Sequence, residues 1–95
     1  MLSGKSAIVT GSTSGIGLGI ARGLAAGGAN IMLNGFGDPA EIETIRRDIA
    51  DEHKVKVLYN PANMTVPSEI ESMIALAEDE FGSVDIIVNN AGIQH

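Results

Sequence analysis

The sequence predicts an α/β fold built on a parallel, doubly wound sheet, and three observations carry that reading. Short apolar runs rich in β-branched residues alternate with amphipathic helical stretches along all 95 residues. A glycine-rich turn, TGSTSGIG from Thr10 to Gly17, separates the first such run from the first helix. The fourth run ends in a second polar turn, NNAG, at Asn89 to Gly92. Strands that alternate with helices pair in parallel through right-handed crossovers.

Each element follows from local signals. Ala7-Ile8-Val9-Thr10 is a short apolar run that stops at Gly11, as a buried strand does. From Gly15 the period changes. Ile16, Ile20 and Leu24 recur every four residues and predict the buried stripe of a helix ending at Gly27-Gly28. Ile31-Met32-Leu33 is the second strand. Asp38-Pro39-Ala40-Glu41 then opens a helix, with Asp as N-cap, Pro in the first turn and Glu placed for a capping box. Ile42, Ile45 and Ile49 are its inward stripe.

Val55, Val57 and Leu58 mark the third strand. Thr65 is the expected cap of a third helix, whose face is Ile70, Met73, Ile74, Ala77 and Phe81 and whose stop is Gly82. Val84 to Val88 is the fourth strand, running into NNAG. The first two crossovers wind one way, so their helices share a face and the third helix covers the other. No linker, repeat or low-complexity segment interrupts this β-α-β-α-β-α-β order. Residues 1–95 therefore read as a single domain of the Rossmann type.

Composition narrows the function classes. A chain of this size buries only about 60–65% of its unfolded surface, so its core is marginal without a partner. With only Phe36, Tyr59 and Phe81 as aromatics, that core must be aliphatic. A net charge of −6 argues against nucleic acid and anionic membrane, which attract basic surfaces. Cysteine is absent, which removes disulfide, thiolate and Cys-metal chemistry and suits a reducing cytoplasm. No stretch is long and apolar enough for a signal or a membrane span. His53 and His95 lack neighbouring ligands, so no metal site is expected. The acidic groups Asp48/Asp51/Glu52 and Glu78/Asp79/Glu80 read as solvated helix faces.

The glycine turn carries the functional signal. It lies at the first strand-to-helix junction, where the ligand crevice of a doubly wound sheet opens. Gly11 permits a tight turn, and Gly15 lets a pyrophosphate approach the backbone without a Cβ between them. Gly17 allows close helix packing, while the N–H groups and dipole at Ser14 to Ile16 favour phosphate. Ser12, Thr13 and Ser14 add hydroxyl donors. No Lys follows Gly17, which excludes a P-loop. A plain flexible turn is the bland alternative, but a strand before and a helix after favour a dinucleotide. No Arg or Lys lies between Arg22 and Arg46 to hold a 2′-phosphate, so NAD is favoured over NADP. Asp38 is near the second strand's tip, but Asp-Pro reads first as a helix cap.

TGSTSGIG together with NNAG after the fourth strand resembles the short-chain dehydrogenase/reductase family, over the whole chain. TSGIGLGIA, LNGFGDPAEIE and NNAGIQH resemble its branch that oxidises D-3-hydroxybutyrate to acetoacetate with NAD, usually as tetramers. The resemblance implies that Gly11, Thr13, Ser14, Gly15, Ile16 and Gly17 line the pyrophosphate. Phe36 would pack beside the adenosine, with the Gly35 backbone replacing the usual acid. Asn63 stands where the family has an Asp for the adenine amine, followed by Met64. Asn90, Ala91 and Gly92 would border the cofactor, and Gln94 would reach the carboxylate of a small 3-hydroxy acid.

In that family a Ser and a Tyr-x-x-x-Lys pair move the proton. Tyr59 is the single tyrosine here, and the residue four positions on is Asn63. The resemblance thus implies that residues 1–95 are an incomplete NAD-binding domain, inactive alone, with His95 in the middle of a longer protein. Two alternatives stay open: a non-catalytic nucleotide-binding or interaction module, and a related reductase such as a 3-oxoacyl reductase.

Overall fold

A computed structural model describes residues 1–90 of the chain. The elements are β1 (Ser6–Val9), α1 (Gly15–Ala26), β2 (Asn30–Asn34), α2 (Pro39–His53), β3 (Val57–Asn60), α3 (Pro67–Phe81) and β4 (Ile86–Val88). The four strands form one sheet in the order β3-β2-β1-β4. Every pairing is parallel: Ile8 sits opposite Met32 on one side and Ile87 on the other, and Met32 opposite Leu58. The strand order reverses between β1 and β4. That reversal puts the loops after these two strands side by side at one end of the sheet, where such folds bind ligands.

Side-chain alternation divides the core in two, as the crossover argument requires. Ala7, Val9, Ile31, Leu33 and Val57 face α1 and α2, packing with Ala21, Ala25 and Ile49. Ile8 and Met32 face the other way, against Met73 and Ala77 of α3. Fully burying an Ile or Leu side chain is worth about 1.5–3 kcal/mol. A one-residue slip of β2 would exchange its two faces, so burial specifies the register.

Several expected boundaries move. The first helix buries Gly17, Ala21 and Ala25, while Ile16 is 72% exposed. The buried stripe is therefore one residue away from the aliphatic one. Small residues let the helix axis approach the sheet, and Leu18, Ile20 and Leu24 pack along its flanks. The third helix is not capped by Thr65. Val66 occupies the cap position, and Asn63 builds the entry instead, its Oδ1 accepting from Thr65 N at 2.9 Å and Thr65 Oγ1 at 2.7 Å. β3 begins at Val57 because Lys54, with φ +56°, still turns the chain. β4 is shorter than Val84–Val88 and begins at Ile86; Asp85 just before it still holds to β1, its N donating to Ser6 O at 2.9 Å and its Oδ2 accepting from Ser6 N at 3.0 Å.

The expected cap of α2 is present: Asp38 Oδ2 accepts from Glu41 N at 3.0 Å. Gly82, at φ +89°, ends α3 as anticipated. No helix among the described residues is long and apolar enough to cross a membrane.

Candidate functional site

The glycine loop leaves β1 and is tied to its neighbours before α1 begins. Thr10 N donates to Val88 O at 3.0 Å, and Ser12 N to Asn34 O at 2.6 Å. Gly17, in the first turn of α1, faces the loop it has just left. A Cβ there would lie 2.1 Å from Gly11 O and 2.6 Å from Asn90 Nδ2. The missing side chain is thus what lets helix, loop and the end of β4 close on one another. Asn90, 2% exposed, completes this contact by donating Nδ2 to Gly11 O at 3.1 Å.

Gly15 serves a different purpose. Its φ of +58° requires a left-handed backbone, yet nothing lies within 4 Å of where a Cβ would stand. The N–H groups of Gly15, Ile16 and Gly17 donate to no acceptor among the described residues. No acidic side chain sits in the first turn of α1, and Ser14 makes no side-chain cap. An open cradle, free donors and an uncompensated helix dipole are the requirements of an anion site. A pyrophosphate fits this loop on those grounds.

Of the three loop hydroxyls, only that of Ser14 is left for a ligand. Ser12 Oγ is buried, donating to Val9 O at 2.7 Å and accepting from Asn34 N at 3.0 Å. Thr13 Oγ1 donates to Phe36 O at 2.9 Å. The expectation of three free donors fails because two of them hold the loop in place.

Asn34, at the end of β2, is the residue that sequence reasoning missed. It is 1% exposed. Its Oδ1 accepts from Gly11 N at 3.2 Å, and its Nδ2 donates to Asn60 O at 3.1 Å and Ala62 O at 3.0 Å. One amide thereby fastens the loops after β1 and β3 to the tip of β2. The available signal was a polar residue directly after an apolar strand, where a buried side chain must find partners.

Beyond Asn34 the backbone turns at Gly35, whose φ is +146°. A Cβ here would lie 2.7 Å from Thr13 Oγ1. Tyr59, on β3, donates its hydroxyl to Gly35 O at 2.5 Å, and burial raises its pKa. Phe36 follows with 70% of its surface exposed. It stands between two hollows. One, of about 230 Å³, includes Gly11, Gly35, Ala62, Asn63 and Met64 in its lining. The other, of about 260 Å³, includes Thr13, Ser14, Gly37, Asp38 and Glu41.

The first hollow has the size and the mainly apolar lining for an adenine ring. Asn63 borders it, but both acceptor sites of its Oδ1 already serve Thr65. The Asn63 amide nitrogen is the group left to face a ring. Ile16, Met64 and Asn90 are thus all drawn to the same end of the sheet. Ala91, Gly92 and Gln94 lie outside the described residues. No group of three or more His, Cys, Asp or Glu side chains among the described residues could hold a metal ion.

The short chain dehydrogenase family profile matches residues 5–95. A D-beta-hydroxybutyrate dehydrogenase of Rhizobium meliloti (strain 1021) is 59% identical over 95% of this chain and 35% of its own length. The enzyme of the same name from Cupriavidus necator is 55% identical over 100% of this chain and 36% of its own length. The chain thus spans about a third of the curated relatives it matches. Among solved structures, L-sorbose reductase from Gluconobacter frateurii, complexed with NADPH and L-sorbose, superposes with a TM-score of 0.84. It is 36% identical, over 94% of this chain and 34% of that one.

Proposed function

The chain belongs to the short-chain dehydrogenase family, and from that we propose that it is the cofactor-binding portion of an NAD-dependent dehydrogenase acting on D-3-hydroxybutyrate. The observation that carries the cofactor reading is the loop at Gly11 to Gly17, with its open cradle at Gly15 and unpaired N–H groups. The substrate reading rests on identities of 59% and 55% to two D-beta-hydroxybutyrate dehydrogenases, against 36% to the sorbose reductase.

When bound, NAD would supply the hydride acceptor for oxidation of the substrate carbon. The chain's own residues bind and orient. Gly11, Thr13, Ser14, Gly15, Ile16 and Gly17 form the pyrophosphate cradle. Phe36, Asn63 and Met64 surround the adenosine, and Asn90, Ala91 and Gly92 border the cofactor's other half. Gln94 offers a neutral amide to the acid's carboxylate, and the product is acetoacetate. NADPH in the sorbose reductase complex shows that a 2′-phosphate is compatible with this fold. The absence of Arg or Lys between Arg22 and Arg46 supports NAD here instead.

Proton transfer needs residues beyond these 95. Tyr59 cannot supply it: its hydroxyl is engaged by Gly35 O, and burial shifts its pKa up, away from a tyrosinate base. We assign the whole enzyme to the cytoplasm as a homo-oligomer, a tetramer by family resemblance. The direct test is a protein carrying this sequence with the family's Ser and Tyr-x-x-x-Lys downstream. It should reduce NAD with D-3-hydroxybutyrate in preference to sugar acids and 3-hydroxyacyl thioesters. Preference for either competitor overturns the substrate reading.

A further inference from the structure

Phe36 is a wall shared by the two hollows, yet its own packing does little to hold it there. It is 70% exposed and stands between Gly35 and Gly37, whose φ angles are +146° and +153°. The backbone on either side sets its place instead. Tyr59 lies opposite Leu33 in the parallel register and packs, half-buried, on the face of the sheet that α1 and α2 cover. From there its hydroxyl reaches past the end of β2 to donate to Gly35 O. The next carbonyl, Phe36 O, accepts from Thr13 Oγ1 at 2.9 Å. Two successive peptide planes are thus fixed by hydroxyls from two different segments. In a planar trans peptide the N–H points opposite to the C=O, and no peptide here is cis. The N–H groups of Phe36 and Gly37 are therefore turned away from Tyr59 and Thr13, and they donate to no acceptor among the described residues. A phenylalanine would fill the same space on β3. What the tyrosine adds is the hydroxyl.

Resting on the cofactor reading above, we infer that Tyr59 is a positioning residue for the adenosine half of the dinucleotide. It acts through the Gly35 carbonyl, holding the Phe36 ring and the two outward N–H groups where that half binds. Without the hydroxyl, a Gly-Phe-Gly segment tied only at Phe36 O has to be ordered when the ligand arrives. That ordering cost is subtracted from affinity. It falls on the adenosine half, because the segment lies at the tip of β2, away from the end of β4.

The test uses Tyr59→Phe, which keeps the ring, in an enzyme that contains the remaining residues. Adenosine monophosphate and nicotinamide mononucleotide, as inhibitors competing with NAD, report the two halves of the cofactor separately. The variant should bind adenosine monophosphate roughly three- to tenfold more weakly, as loss of one neutral hydrogen bond predicts, and KM for NAD should rise by a similar factor. Inhibition by nicotinamide mononucleotide, KM for the hydroxy acid and kcat should each stay within about twofold. Ile49→Val, a core change on the same face of the sheet, is the control for lost stability. It should lower Tm while leaving the ratio of the two inhibition constants where it was. Unchanged inhibition by adenosine monophosphate in Tyr59→Phe, or equal weakening of both mononucleotides, overturns the positioning role and leaves the cofactor reading standing. A parent enzyme that neither uses NAD nor is inhibited by adenosine monophosphate overturns both together.

Discussion

Asn34 and Gly11 meet at 3.2 Å, the buried side-chain oxygen of one accepting the backbone N–H of the other. Because the same amide donates to Asn60 O and Ala62 O, the shape of the crevice depends on one buried side chain. Asn34→Ala should strand one N–H and two carbonyls in a dry environment, costing about 2–4 kcal/mol. In a thermal melt that corresponds to a drop of roughly 10–20 °C in Tm for a domain of this size. A melt unchanged within a few degrees would show that water replaces the amide.

Gly17 and Gly15 should fail differently. At Gly17 an added methyl meets backbone at 2.1 Å, which helix and loop can relieve only by parting. Gly17→Ala should cost about 3 kcal/mol and weaken NAD binding with it. At Gly15 the space is open and only the left-handed backbone objects, so Gly15→Ala should cost about 1–2 kcal/mol. Its larger effect should be on NAD affinity, because the methyl enters the anion cradle. Melts and titrations of both variants separate the two roles.

A carboxylate at the tip of β2 looks from sequence like a simple way to add a ribose acceptor. The structure argues otherwise. At φ +146°, and with Thr13 Oγ1 2.7 Å from the new Cβ, Gly35→Asp should destabilise by about 1–3 kcal/mol and weaken NAD. Adding Thr13→Ala removes the clashing hydroxyl and methyl and should restore part of the loss, while the backbone strain stays. Full additivity of the two changes in a double-mutant cycle would show that they do not interact.

The 95-residue chain should form no acetoacetate at any substrate concentration, because the family's proton-moving Tyr-x-x-x-Lys is absent from it. In an enzyme that contains the remaining residues, Gln94→Ala should raise KM for D-3-hydroxybutyrate with little effect on NAD. Loss of a hydrogen bond to a charged group corresponds to about 1.5–3 kcal/mol, or roughly ten- to a hundredfold in kcat/KM. Turnover by the short chain, or unchanged kinetics in the variant, would refute the respective assignment.

Among the described residues β4 is paired on one side only, and Ile87 at its centre is 56% exposed. An apolar edge of that kind recruits further strands. The isolated chain should therefore self-associate, and sedimentation as a compact monomer across the micromolar range would count against this.

The alternation of strands and helices, the two-sided core and the position of the glycine turn were all legible in the sequence. They depend on local periodicity and on which residues tolerate a tight turn, and both are properties of short segments. The capping of α2 by Asp38 belongs with them, because cap and recipient lie three residues apart. What only the tertiary structure decided is how distant segments meet. Ile16 looked like core by its spacing, but a sheet nearby rewards small residues, and Gly17, Ala21 and Ala25 took its place. Ser12 and Thr13 looked like ligand donors until Val9 O and Phe36 O claimed them. Asn34, whose partners the sequence does not name, joins loops that lie 23 to 28 residues away. Hydrogen bonds across such separations depend on strand order and register, which no local pattern encodes.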